Sequence, residues 1–166
     1  MAEQSSGPPI RVVFVCLGNI CRSPMAERVA ERAAADAGIT GVEFSSAGTI
    51  SEEYDDPMDR RAVAVLEQHG YRHADHRARR IVDAQLESAD LVVAMEDSHV
   101  SSVLELATDP SKVSLLTDFD PAAEPGSGVP DPFFGSDTGF SDTLTAIEAA
   151  MPGLFDRIRE LQRTKS

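Results

Sequence analysis

The sequence predicts a single-domain three-layer α/β sandwich, a four-stranded parallel sheet with helices on both faces. Three observations carry this. Short apolar runs alternate with helix-length segments along the chain, the rhythm of strand–crossover–strand units. Gly38, Gly70 and Gly153 stand where helical segments are expected to end. A length of 166 residues, 42% of them hydrophobic, suits one domain with one sizeable core.

Residues 1–9, rich in Ser, Gly and Pro, read as a flexible leader, with the domain expected over 10–163. The first strand is predicted at 11–16, where Val12-Val13-Phe14-Val15 has the composition of a buried strand. A helix over 24–37 comes next. Ser23 is placed to cap it, Pro24 suits the first helical position, and Met25 to Ala34 are strong helix formers. Further strands are expected at 42–47, 90–95 and 112–116, and further helices at 58–69, 83–88, 97–107 and 139–162. The last should break near Pro152-Gly153. The longest irregular stretch, 117–138, holds Pro121, Pro125, Pro130 and Pro132, and loops of that length are usually functional or disordered.

Ligands of parallel α/β sheets bind beyond the carboxyl ends of the strands, and Cys16 falls there. From Cys16 the chain reads Leu17-Gly18-Asn19-Ile20-Cys21-Arg22-Ser23-Pro24. A Cys-x5-Arg spacing is weak evidence alone, but here it joins a buried strand to a helix start. Gly18 and Asn19 tolerate the backbone angles of a tight loop. A helix N-terminus offers unpaired N–H donors and partial positive charge, so residues 17–23 are expected to cradle a tetrahedral dianion, with phosphate or sulfate as the simplest occupant. The same surroundings favour a thiolate, since helix N-termini and arginines lower a cysteine from about 8.5 to about 3.5–7.5. Arg22 would grip two oxygens in a bidentate fork and hold charge that develops in the transition state. The Ser23 hydroxyl can donate to the sulfur. The plain alternative makes Cys16 a small buried hydrophobe at a strand end.

Composition narrows the classes. A net charge of −13 makes nucleic acid and anionic membranes poor partners. No apolar stretch approaches a membrane span, and the N-terminus lacks a signal-peptide pattern. Two cysteines five residues apart make no disulfide framework, and no Cys/His cluster has zinc spacing, so no metal or cofactor is expected. A cytoplasmic monomer is the default, with export without a leader left open. The acidity is uneven. Val113 to Asp156 holds eight carboxylates and no Lys or Arg, and 52–59 adds five more. Charge runs of this kind are usually a solubility surface.

The run Cys16-Leu17-Gly18-Asn19-Ile20-Cys21-Arg22-Ser23-Pro24-Met25-Ala26-Glu27 resembles the signature of the low-molecular-weight protein tyrosine phosphatases, and the composition suits a bacterial member. Ser46-Ala47-Gly48-Thr49, Asp75-His76-Arg77-Ala78-Arg79, Ala89 to Met95 and Asp131-Pro132-Phe133-Phe134-Gly135 match in the same order, so the resemblance covers roughly 10–160. It implies hydrolysis of phosphotyrosine in proteins or peptides through a cysteinyl phosphate, and it places both acidic stretches at the pocket mouth, a rim that would prefer phosphosites with basic neighbours. Cys16 would be nucleophile, and Asp131 general acid and then base. Asn19, Ser46 and His76 match positions that stiffen the loop. Leu17 and Ile20 match the pocket wall, to which Phe133 and Phe134 add flat apolar surfaces. Related arginine phosphatases carry a smaller threonine where this chain has Ile20, so an aryl phosphate is favoured. Cys21 matches a neighbour that can form a reversible disulfide with the nucleophile. One departure stands out. Where many members place a rim aromatic, ungapped alignment puts Glu52, and Tyr54 is the nearest substitute. An arginine phosphatase, an arsenate reductase on the same fold and a non-catalytic phosphopeptide binder are the competing readings. With only Cys16 and Cys21, the chain lacks the additional cysteines of a thioredoxin-coupled reductase.

Overall fold

Alternation along one strand decides the architecture. In β1 (Ile10–Cys16), Ile10, Val12, Phe14 and Cys16 face one side of the sheet, Val13 and Val15 face the other, and all six are buried. A strand apolar on both sides must be central and covered twice. The computed structural model, which describes residues 7–132 and 138–165, has that arrangement. Parallel neighbours β2 (Val42–Gly48) and β3 (Leu91–Ala94) flank β1, and β4 (Val113–Leu115) lies outside β3, giving the order β2-β1-β3-β4. The register sets Cys16 opposite Gly48.

Helices α1 (Arg22–Asp36), α2 (Arg60–Gln68) and α5 (Thr138–Lys165) cover the first face, where Met25, Val29, Leu66, Leu144, Ile147, Leu154 and Ile158 pack with Phe14. Helices α3 (Asp83–Ser88) and α4 (Asp97–Leu106) cover the second with Leu86 and Val103 on Val13, Val15 and Val92. Each such buried side chain contributes about 1.5–3 kcal/mol relative to exposure.

Three local expectations need correction. Helix α1 starts at Arg22, so Ser23 lies inside its first turn; the capping position is Cys21, with no side-chain bond, because the Ser23 hydroxyl is engaged elsewhere. Helix α2 starts two residues late because the Asp59 carboxylate caps it, accepting from the Arg61 N–H at 2.8 Å. Helix α5 does not break. It runs through Pro152, held to the core by buried Met151, Leu154, Phe155 and Ile158. At Gly153 a Cβ would collide with the Phe119 carbonyl, so this glycine permits close packing on the 3-10 turn Leu116–Phe119 and ends nothing. Gly38 and Gly70, at φ +72° and +77°, lie just past α1 and α2 as expected.

Candidate active site

Between Cys16 and Arg22 the chain turns back on itself over the end of β2. The Cys16 and Leu17 carbonyls accept the Thr49 N–H at 3.0 and 2.9 Å, and Leu17 also accepts that of Ile50 at 3.2 Å. The loop sits so close to Gly48 that a Cβ there would lie 2.8 Å from the Leu17 oxygen and 3.3 Å from the Asn19 Cβ. Asn19 takes φ +60°, a left-handed angle that asparagine adopts more readily than most residues. Among the described residues, the backbone N–H groups of 17–22 have no protein acceptor. A row of unpaired donors at a helix N-terminus is the arrangement that binds a multiply charged anion.

Behind the loop lies a web of buried polar groups. The Cys16 Sγ is 3.0 Å from the Ser23 Oγ. Asn19 donates through Nδ2 to Ser23 Oγ at 2.9 Å and to Ser46 Oγ at 3.0 Å, while its Oδ1 accepts the Arg79 N–H at 3.0 Å. The Ser46 hydroxyl donates to Glu27 Oε1 at 2.6 Å. His76 Nε2 is 2.6 Å from the Asn19 carbonyl, which fixes Nε2 as the protonated nitrogen. Burial, aided by Arg28 and Arg79, holds His76 below its usual range against the pull of that bond. Burial also raises Glu27.

Arg22 is buried, and its surroundings aim it. Nη1 donates to Glu96 Oε1 at 2.7 Å and to the Val129 carbonyl at 3.0 Å, while Nη2 is 3.5 Å from Asp131 Oδ2. Burial works to raise Glu96, but hydrogen bonds from Arg22 and Ser98 outweigh it and hold the carboxyl below its ordinary value. His99 packs beneath, Nε2 3.6 Å from Glu96 Oε1, and burial together with the Arg22 charge lowers it to about 4, so it is neutral near pH 7. Burial, then Asp59 and the Cys16 sulfur, push the Cys21 thiol far up. Both cysteines are unbridged.

These groups border a cavity of about 290 Å3 lined by Cys16, Leu17, Gly18, Ile20, Cys21, Arg22, Ile50, Glu52, Glu53 and Asp131. Asn19, Ser23, Ser46 and His76 stand behind the loop. Tyr54 does not line the cavity. Its segment turns through bonds from Tyr54 N to Ser51 O and from Asp55 N to Ala78 O, which leave the ring 69% exposed. Ile50, Glu52 and Glu53 form that wall instead. Phe133 and Phe134 lie outside the described residues. Sequence reasoning misses Glu96 and Glu27. Glu96 stands just past β3 at the sheet edge where ligands bind, a signal that could find it. Glu27 closes the run that matches the family signature, but its spacing gives it no chemical role and it reads there as one more acidic residue on a helix.

Comparison with known proteins agrees with this geometry. Residues 11–165 match the family model described as low molecular weight phosphotyrosine protein phosphatase. A low molecular weight protein-tyrosine-phosphatase of Streptomyces coelicolor is 44% identical over 155 residues, 90% of this chain and 94% of that protein. A protein tyrosine phosphatase of Entamoeba histolytica, crystallised with Hepes in its active site, superposes with TM-score 0.86 at 30% identity, covering 91% of this chain and 97% of that one. The YwlE arginine phosphatase, as a cysteine-to-serine mutant with a phosphorylated active site serine, gives TM-score 0.82 at 28% identity, covering 93% of this chain and 99% of that one.

Proposed function

The chain belongs to the low molecular weight phosphotyrosine protein phosphatase family, and from that premise we propose that it hydrolyses phosphotyrosine in proteins or peptides with Cys16, Arg22 and Asp131 as its machinery. The observation that carries this is that a thiol, a guanidinium and a carboxylate spread over 116 positions of sequence line one cavity. In the first step the Cys16 thiolate attacks phosphorus, the ester P–O bond breaks, and the Asp131 carboxyl protonates the departing phenolate. In the second, Asp131 takes a proton from water as that oxygen displaces sulfur, releasing phosphate. The amides of 17–22 and the edge of Arg22 turned away from Glu96 hold the equatorial oxygens throughout. The Ser23 hydroxyl, 3.0 Å from sulfur, stabilises the thiolate as it leaves. Support for a covalent step comes from the phosphorylated serine of the similar YwlE mutant.

The substrate side has its own logic. Leu17, Ile20 and Ile50 give the cavity apolar walls suited to a flat ring, while Glu52 and Glu53 give its mouth negative charge. Peptides with Lys or Arg beside the phosphotyrosine fit that mouth better than acidic ones. A thiol nucleophile needs a reducing compartment, and the cytoplasm is the setting that suits it. The test is a panel of phosphotyrosine, phosphoserine and phosphoarginine substrates in EDTA. The expected outcome is turnover of the phosphotyrosine substrate with kcat/KM at least about tenfold above the others. A preference for phosphoarginine overturns the assignment.

A further inference from the structure

Glu27 lies on the far side of the catalytic loop from the reaction cavity, yet an unbroken series of hydrogen bonds joins it to the nucleophile. The direction of each bond can be worked out. The Arg79 N–H can only donate, so the Asn19 atom that meets it at 3.0 Å is the oxygen. Both remaining Asn19 contacts, to Ser46 at 3.0 Å and Ser23 at 2.9 Å, are therefore N–H donations into hydroxyl oxygens. Each serine then has one proton to place. That of Ser46 goes to Glu27 at 2.6 Å, and that of Ser23 to Cys16 at 3.0 Å, its other acceptor being the Ala47 carbonyl at a longer 3.4 Å. A carboxylate accepts and never donates, so Glu27 holds the Ser46 proton away from Asn19. The Ser46 oxygen thereby stays turned to the amide.

We propose that Glu27 is a positioning residue for the nucleophile: Arg79 sets the sense of the chain Glu27–Ser46–Asn19–Ser23–Cys16, and Glu27, by taking the Ser46 proton, keeps the Ser46 oxygen an acceptor that holds the Asn19 amide against Ser23 and leaves the Ser23 proton aimed at sulfur. Without the carboxylate, the Ser46 hydroxyl has no fixed direction and one of the three hydrogen bonds on the Asn19 amide is loosened. The Ser23 proton is then shared between sulfur and the Ala47 carbonyl, and the thiolate loses a donor. Hydrogen-bonded chains of this kind are cooperative, so loosening a distant link weakens the bond at the end. The charged and titratable groups that face Glu27 are Arg28, Glu31 and Arg72, with Asp75, His76, Arg77 and Arg79 lining the same cleft; those that face Cys16 are Arg22, Cys21, Asp131, Glu52 and Glu53, and none of them is altered in the test variants.

The inference rests on Cys16 as nucleophile, and the test separates the two. Iodoacetate labelling of Cys16 at pH 6 and the pH profile of kcat/KM for p-nitrophenyl phosphate are measured for the wild type, Glu27→Leu, Glu27→Gln, Ser46→Ala and the Glu27→Leu/Ser46→Ala double variant. Glu27→Leu and Ser46→Ala are each expected to slow labelling about tenfold, lower kcat by a similar factor and move the acid limb of the profile to higher pH, with KM within about twofold. The double variant should be no worse than either single one. Glu27→Gln, which keeps an acceptor oxygen, should recover most of the loss. Ser46→Ala removes only a hydroxyl and covers the case in which Glu27→Leu fails to fold. Wild-type labelling well above that of free cysteine, with unaltered labelling and acid limb in Ser46→Ala or Glu27→Leu, overturns the role of Glu27 alone. Wild-type labelling no faster than that of free cysteine overturns the nucleophile reading and this one with it.

Discussion

The floor and the rim of the cavity are built on opposite principles. In the floor, Cys16, Asn19, Arg22 and Ser23 are all buried and joined by bonds that fix each side chain. In the rim, Glu52 is exposed and Leu17 is 49% exposed, and the carboxylates stand in water. Floor charges act at low dielectric and close range, where removal of one partner is expensive; rim charges are screened and individually weak. Under the proposed function, bond making and breaking falls to the floor, with Asp131 reaching in from the exposed edge, and selection to the rim, so substitutions in the two should differ in kind as well as size.

The largest break comes at the sulfur. Cys16→Ser should lower kcat by at least about 10^4-fold while phosphate still binds, as measured by turnover and by calorimetric titration with phosphate. Asp131→Asn should cost about 10^2- to 10^4-fold in kcat, and more for substrates with poor leaving groups, so kcat plotted against phenol acidity becomes steeper. Next comes a floor effect on stability. His99 is lowered to about 4 in the folded protein against 6.5 when unfolded, so the unfolded chain binds the extra proton as pH falls. Stability is therefore lost progressively from about pH 6.5 down to about pH 4, by up to about 3 kcal/mol, and denaturant melts of His99→Asn should show a flatter slope in that window. The smallest effect belongs to the rim. Glu52→Lys with Glu53→Lys should change kcat/KM about threefold to tenfold at low salt, against Lys-flanked and in favour of Glu-flanked phosphotyrosine peptides, and the difference should shrink in 0.5 M salt. Peptide ratios that stay constant between the two proteins erase the division of labour.

Much of the floor is legible in the sequence because its residues are contiguous. Val12 to Val15 announce a central strand, and the eight residues from Cys16 to Ser23 announce an anion-binding turn into a helix. The two inner strands are legible for the same reason, since Val12 to Val15 and Leu91 to Ala94 are short apolar runs, whereas the edge strands β2 and β4 mix apolar residues with Glu43, Ser45, Ser46 and Ser114. Geometry between distant segments is hidden. Glu96 meets Arg22 across 74 positions and Glu27 acts through Ser46, and neither pairing leaves a pattern in one chain. Ser23 reads as a cap because local propensity cannot see the thiol that competes for its hydroxyl. Pro152 reads as a break because propensity cannot see the core that holds α5 together. Proximity to Glu52 puts Tyr54 in the wall, but the turn drawn to Ala78 sends it outward.

The anchoring of Val129 carries a consequence for how this molecule can vary. Its N–H donates to the Met95 carbonyl at 2.7 Å and its own carbonyl receives Arg22 at 3.0 Å, two residues before Asp131. The carboxylate is thereby registered to the arginine from the near side, whatever the chain does upstream. Insertions or deletions between Ala122 and Ser127 should be tolerated without misaligning Asp131, the proposed proton donor, which leaves that surface segment open to lineage-specific elaboration.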